Sequence, residues 1–385
     1  MKTLVLGGYG NFGARISRAL ALEADIELLI GGRDLERATA FAQSLGGHSR
    51  GVRVDAHSPD LAQGLGYLGV ELVIHTAGPF QNQDYRVPQA VAAAGAHYVD
   101  LADGRRFVCD FPAAMDAAFR NAGRTAVAGA STVPALSSAV VDHLTAGWQS
   151  IRSIDSCIAP AQSAPRGEAT LAGVLAYCGA PIRVWQDGDW VDQPGWAHPV
   201  KVQFARMRPR RGALCDIPDL ELFPARYAGV QSVMFRAALE VGLAQQAFAF
   251  MAFMRRVGLL RAPQKLAPLL HAAGGVFDAF GTALGGMVVR VDGTDAQGAA
   301  ARRAWHIAAD DNHGPEIPCM AAVLLARRLA RGNALPTGAH TCAGLLTLAE
   351  FEPEFARWGM ATDVIDEGES GVAGRQRPRG AAIAP

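Results

Sequence analysis

The stretch TLVLGGYGNFG, residues 3–13, decides the fold. Residues 3–6 are a short apolar run, the signature of a buried strand. Gly8, Tyr9, Gly10, Asn11, Phe12 and Gly13 then fit the spacing G-x-G-x-x-G, with Gly7 as a further glycine. A helical pattern follows from Ala14 to Leu22. A glycine loop between a strand and a helix carries a physical mechanism. Gly8 permits the tight turn, Gly10 lets backbone approach a pyrophosphate, and Gly13 lets helix pack on strand. The helix N-terminus adds N–H donors and a favourable dipole for phosphate oxygens.

Working outward, the same unit recurs. IELLI at 26–30 is a second strand and Leu35 to about Leu45 a second helix. VRVD at 52–55, LVIHTAG at 72–78, HYVDL at 97–101 and TAVAGA at 125–130 read as further strands. Helices are expected over Val87–Ala94 and from about Pro112 to Ala122. Strand–helix alternation at this spacing predicts a parallel, doubly wound α/β sheet of Rossmann type over residues 1–135. From Ile151 the rhythm changes. IRVWQDGDWV carries an Asp187-Gly188 hairpin turn, and 287–295 with 301–310 reads as another hairpin. Residues 136–312 are therefore expected to form a second, α+β domain with a largely antiparallel sheet. IPCMAAVLLARRLARG at 317–332 is a helix, with Pro318 near its start and Gly332 past its end. Residues 313–360 are expected to return to the first domain, and 361–385, rich in Gly, Pro and charge, to be a disordered tail.

Composition excludes several classes. The 385 residues are 50% hydrophobic, too apolar for a disordered chain. Equal numbers of basic and acidic residues, 36 each, give no basic excess for a nucleic-acid partner. Lys2, Lys201 and Lys265 are the only lysines, so any Schiff-base chemistry has three candidate positions and anion binding falls to arginines. The six cysteines have no C-x-x-C spacing and the histidines no metal-ligand spacing, so no metal is expected. Met1 leads almost directly into the first strand, and the chain reads as cytoplasmic. VGLAQQAFAFMAFM at 241–254 is too short to span a bilayer and reads as a core or interface helix, with a membrane-surface helix as the rival.

Cofactor choice falls at the end of the second strand. An acid there would bind the ribose hydroxyls of NAD, whereas an arginine suits a 2′-phosphate. Gly31-Gly32-Arg33-Asp34 places Arg33 at that point, which predicts NADP(H). Asp34 is expected to cap the following helix instead. Asp55, just after the third strand, is either an adenine contact or a surface aspartate.

The glycine loop, GGRD, HTAGPFQ (75–81), AGAHYVDLADG (94–104) and GASTVPALSS (129–138) resemble the saccharopine dehydrogenase-like reductases. The resemblance implies that Ala77, Gly78 and Pro79 line the nicotinamide side of the cofactor, that a second domain supplies the substrate site, and that a helix after Gly314-Pro315 returns to the first domain. Where members of that family commonly continue YVD with a Gly-Glu pair, this chain has Leu101-Ala102-Asp103-Gly104-Arg105-Arg106. Family activities cover secondary-amine oxidation, reductive condensation of amino acids with carbonyls, and enoyl reduction.

Ligands of an open parallel sheet lie beyond the carboxyl ends of its strands. Tyr98, Asp100 and Asp103 cluster there. A hydride transfer needs a proton donor or a group that stabilises iminium charge, and these are the catalytic candidates; Asp100 is equally readable as the cap of a turn. His75 lies inside its strand and is expected to be structural. Arg166, ahead of a helix, and Arg105 are the candidates for a substrate carboxylate. Trp185, Trp190 and Trp196 wall either a pocket or a dimer interface. The sequence reading is an NADP(H)-dependent oxidoreductase acting on an imine, secondary amine or carbonyl of a small carboxylate-bearing substrate, as a homodimer. Its rivals are an enoyl reductase and a catalytically weak, lipid-associated cofactor-binding protein.

Overall fold

The computed structural model describes residues 1–368 except 82, 165–167, 271, 273–280 and 334. Its chain builds two sheets. The first runs β1 (Lys2–Leu6), β2 (Glu27–Gly32), β3 (Ser49–Arg53), β4 (Leu72–His75), β5 (His97–Asp100) and β6 (Thr125–Ala128). Helices α1 (Asn11–Leu20), α2 (Leu35–Leu45), α3 (Leu61–Leu68), α4 (Arg86–Ala93) and α5 (Arg105–Asn121) connect them. Every pairing is parallel. β1 sits between β2 and β4, so the order reverses beside the glycine loop. That switch point is where an open α/β sheet leaves a crevice.

Local chemistry accounts for these elements. The Asp34 side chain accepts the Arg37 N–H at 3.1 Å and caps α2, as its position predicts. α5 begins seven residues ahead of the expected Pro112. Phe107, Val108, Phe111, Met115 and Phe119 keep one buried stripe running through the proline. β3 ends before Asp55, whose carboxylate instead accepts the His57 N–H at 2.9 Å and turns the chain.

After α6 (Ser137–Leu144) the second sheet begins with β7 (Ser150–Ala159) and continues past α7 (Glu168–Ala176). β8 (Pro181–Gln186) and β9 (Asp189–Pro194) form the expected hairpin, with Asp187 and Gly188 at positive φ in its turn. There follow β10 (Val200–Val202), β11 (Arg210–Leu214), α8 (Asp219–Arg226), β12 (Ser232–Leu239) and α9 (Gly242–Arg256). β13 (Gly285–Thr294) and β14 (Ala300–Ala309) complete its sequence-local strands as a ten-residue hairpin ladder. Among the described residues only β7 and β12 of this sheet pair in parallel; its other pairs are antiparallel.

The chain then crosses back. α10 (Ile317–Ala330) packs against α1, and β15 (Gly338–Thr341) adds a seventh parallel strand beside β6. α11 (Leu348–Arg357) follows, and β16 (Ala361–Asp366) crosses again to pair with β14. The disordered tail expected from 361 is therefore overturned over its first six residues. Residues 361–366 are an edge strand whose Asp363 and Asp366 pair with Arg206 and Arg303. The rest of that expectation, 369–385, lies outside the described residues. Among the described residues no helix is long and apolar enough to cross a membrane.

Candidate active site

The cofactor cradle is built by close packing. A Cβ on Gly13 would lie 2.1 Å from the Gly7 carbonyl oxygen, and one on Gly8 would lie 2.8 Å from that of Val5. One on Gly10 would come to 3.1 Å from the Gly7 oxygen. Thr76, after β4, donates its hydroxyl to the Leu6 carbonyl at 2.9 Å and so fixes the loop to the neighbouring strand. α1 opens on Gly10 with no side-chain cap and no acid in its first turn. Its N-terminus therefore presents backbone and positive dipole, with space that only glycine leaves, and it fits a dinucleotide pyrophosphate.

At the end of β2 the two glycines have separate uses. A Cβ on Gly32 would stand 2.3 Å from the Tyr9 ring, so Gly32 exists to let that ring cross the strand end. The Tyr9 hydroxyl accepts the Asp34 N–H at 3.2 Å, and the Arg37 guanidinium lies 5.0 Å from the ring centroid. Arg33 is exposed beside them. Arg53 is the register partner of Gly32, and sequence reading missed it because spacing alone does not show that β3 ends level with β2. Asp55 is exposed and occupied in its turn with His57.

Beyond β4, Ala77, Gly78 and Pro79 form a rim at which Gly78 and Pro79 are exposed. The Gln83 amide donates to the Ala77 and Pro79 carbonyls at 2.7 and 3.0 Å. Phe80 turns inward onto the His75 ring, 5.1 Å between centroids. His75 is buried, and burial lowers its pKa to about 4, so the imidazole is neutral. Its Nδ1 shares a 3.0 Å hydrogen bond with the Tyr98 hydroxyl.

The three carboxyl-end candidates of β5 separate. Tyr98 and Asp100 point to one face of the strand and are both fully buried, Tyr98 stacked on Phe111. Asp100 Oδ1 accepts the Ala102 N–H at 2.9 Å and the Gly129 N–H at 2.8 Å. Burial outweighs these bonds and raises its pKa to about 7. Both residues brace the strand ends from inside. Asp103 alone is open to solvent, in a recess where surrounding protein raises its pKa; it accepts the Gln81 amide at 3.0 Å.

Helix α7 comes over this point. A Cβ on Gly173 of α7 would come within 3.2 Å of the Gln81 side chain. Tyr177, just past α7, has its pKa raised by burial and then by the Asp216 and Asp103 carboxylates. Asp216 follows β11, with its pKa raised by burial against the opposing pull of Arg105. Tyr177 and Asp216 were invisible in sequence: neither sits in a motif, and only the fold brings them to Asp103. Arg105 is 7% exposed and already engaged. It donates to Glu221 at 3.0 Å, Asp216 at 3.1 Å and the Arg183 carbonyl at 2.7 Å, fastening α5 to the second sheet. Its neighbour Arg106 pairs with Glu221 too. Arg166 lies outside the described residues. Of the tryptophans, Trp190 lies 5.8 Å from the Arg105 guanidinium, whereas Trp196 is buried against Phe248.

Residues 3–127 match the family profile described as the saccharopine dehydrogenase NADP binding domain. The N-terminal unit is similar to that NADP binding domain over nearly its whole length. Its cofactor is NADP(H), in keeping with Arg33 where an NAD-binding acid would stand. The fold beyond that domain is also shared. Saccharopine dehydrogenase (L-Glu forming) from Saccharomyces cerevisiae superposes with a TM-score of 0.70 at 12% identity, over 95% of this chain and 99% of that one. An engineered D-amino acid dehydrogenase bound to NADP+ gives a TM-score of 0.44 at 16% identity, over 91% and 98% of the two chains. No curated protein sequence matches the chain. The chain thus combines a region similar to that NADP binding domain with the overall fold of saccharopine dehydrogenase.

Proposed function

We propose that this protein is an NADP(H)-dependent oxidoreductase that acts on the C–N bond of a small carboxylate-bearing amine, interconverting a secondary amine and an imine. The observation that carries this reading is Asp103, the one solvent-open carboxylate among the β5-end candidates, whose charge acts together with that of Asp216 on the Tyr177 hydroxyl. An acidic recess stabilises a substrate nitrogen that carries positive charge; a neutral enoyl substrate gains nothing from it. NADP(H), when bound, supplies the hydride acceptor or donor.

In the oxidation direction, the ionised Asp103 takes a proton from the substrate ammonium, freeing the nitrogen lone pair to push out hydride from the adjacent carbon. The iminium so formed is held by the Asp216 carboxylate, with Asp103 now carrying the proton, until water adds to it. Tyr177 orients the nitrogen by hydrogen bonding. Gln81 holds Asp103 through its amide, and Asp100 and Tyr98 act as positioning residues beneath it. Arg105 sets Asp216 and reaches the substrate only through that carboxylate. Arg166, ahead of α7, is assigned the substrate carboxylate on the strength of its guanidinium chemistry.

The test is NADPH consumption with paired 2-oxo acids and amines. Turnover that needs both partners, and its reverse with N-substituted amino acids and NADP+, is the expected result. Consumption with enoyl substrates alone, or with none of these, overturns the reading.

A further inference from the structure

α9 carries apolar side chains on two opposite faces. Its inner face packs on the second sheet's core through Phe248, Met251 and Ala252, and Arg255 donates to the Ala176 and Cys178 carbonyls at 2.7 and 3.1 Å. Its outer face leaves Leu243, Phe250, Phe253 and Val257 between 50% and 63% exposed. Leu259 and Leu269, in the chain that follows the helix, are also exposed. Together these side chains expose on the order of 600 Å² of apolar surface, at the top of the range for a lone monomer and near one side of a standard interface.

The spacing identifies the partner. Leu243, Phe250 and Val257 recur every seven residues, with Phe253 in the intervening position, which is the narrow seam of helix-on-helix packing and not a broad lipid-facing arc. We propose that this seam is the contact with a second copy of the chain, two α9 helices packing antiparallel about a two-fold axis at Phe250. In that register Leu243 faces Val257 of the other copy and the large Phe253 faces the small Ala247, so bulk meets space at each level. Charge selects the antiparallel sense. Residues 241–277 contain Arg255, Arg256, Arg261 and Lys265 and no carboxylate. Parallel helices would set Arg256 against itself, whereas antiparallel ones hold the two about 18 Å apart, beyond the screening length in physiological salt. The chain's own residues 369–385 do not suit the seam. They bring Arg375, Arg377 and Arg379, of the same sign, and only Val372 and Ile383 as large aliphatics.

Sedimentation and light scattering at tens of micromolar protein read the mass directly. The wild type is expected at twice its 40.5 kDa chain mass, and Phe250→Glu at the single mass, with NADPH binding retained as the sign of an intact fold. Oxidative cross-linking fixes the register. Leu243→Cys mixed with Val257→Cys is expected to link, and neither variant alone. A monomeric wild type, a dimer that survives Phe250→Glu, or self-linking of Leu243→Cys overturns the proposal. A monomer that floats with phosphatidylglycerol vesicles, and loses that property in Phe250→Glu, would overturn it in favour of an anionic lipid surface.

Discussion

The Asp100 carboxylate accepts the Gly129 backbone N–H at 2.8 Å, tying the end of β5 to the loop after β6. The same oxygen accepts the Ala102 N–H, so one buried atom holds two backbone groups on either side of the recess that contains Asp103. Removing it leaves both donors unsatisfied in the interior. Asp100→Ala is expected to lower unfolding free energy by about 2–4 kcal/mol, measured by urea denaturation. Asp100→Asn keeps an acceptor oxygen and should lose less. Unchanged stability in Asp100→Ala would show that the two N–H groups find other partners.

Arg33 stands exposed at the β2 end, beside a tyrosine ring and without an acid in the position that would repel phosphate. Arg33→Ala is expected to weaken NADPH binding roughly ten- to hundredfold while leaving NADH nearly unchanged, because a charge-assisted contact to phosphate is lost and nothing else. Fluorescence titration of both coenzymes decides it. Equal weakening for the two would place Arg33 away from the 2′-phosphate.

Asp103 has its pKa raised by the surrounding protein, and in the proposed reaction its ionised form is the base for amine oxidation. The rate should therefore fall as pH drops through a value above the ordinary carboxylate range, near 4. Asp103→Asn is expected to cut kcat/KM by roughly a hundredfold or more and to abolish that acid limb. A variant that keeps the limb assigns it to another group, Asp216 being the next carboxylate in the recess.

The first domain was legible because its signals are local. A strand, the glycine spacing and a helix follow within twenty residues, and Asp34 caps α2 through a bond to a residue three positions on. β15 was not legible. GAHT is four residues long with no alternation, and it is a strand only because β6 offers it an open edge. β16 was hidden in the same way, its Asp363 and Asp366 looking like solvent charges until Arg206 and Arg303 meet them. The site divides likewise. Gln81 lies within a motif that names its neighbourhood, but Tyr177 and Asp216 reach Asp103 across more than seventy residues of chain. Strand periodicity placed Tyr98 and Asp100 at the right end of β5; what it does not show is that α5 starts at Arg105 and stacks Phe111 on the Tyr98 ring.

Asp219, in the first turn of α8, tests the balance between burial and charge. It is 2% exposed, neither of its oxygens has a well-directed hydrogen bond, and burial raises its pKa to about 7, with the Ser137 hydroxyl offsetting only part. Its folded pKa thus lies above the unfolded value near 3.9, so between those values the folded state binds more protons. Asp219 therefore supports the fold at low pH, and that support is lost as pH rises from about 4 to about 7. His75 works in the opposite sense: its pKa of about 4 lies below the unfolded 6.5, so it costs stability as pH falls through the same range. The wild-type profile mixes the two, and comparison with Asp219→Asn separates them. That variant is expected to match wild type near pH 4 and to exceed it by on the order of 2 kcal/mol at pH 8, where wild type must bury a carboxylate charge and the amide need not. Urea midpoints at the two pH values measure the difference. A gap that does not widen with pH would mean that Asp219 is hydrated and ionised at ordinary cost.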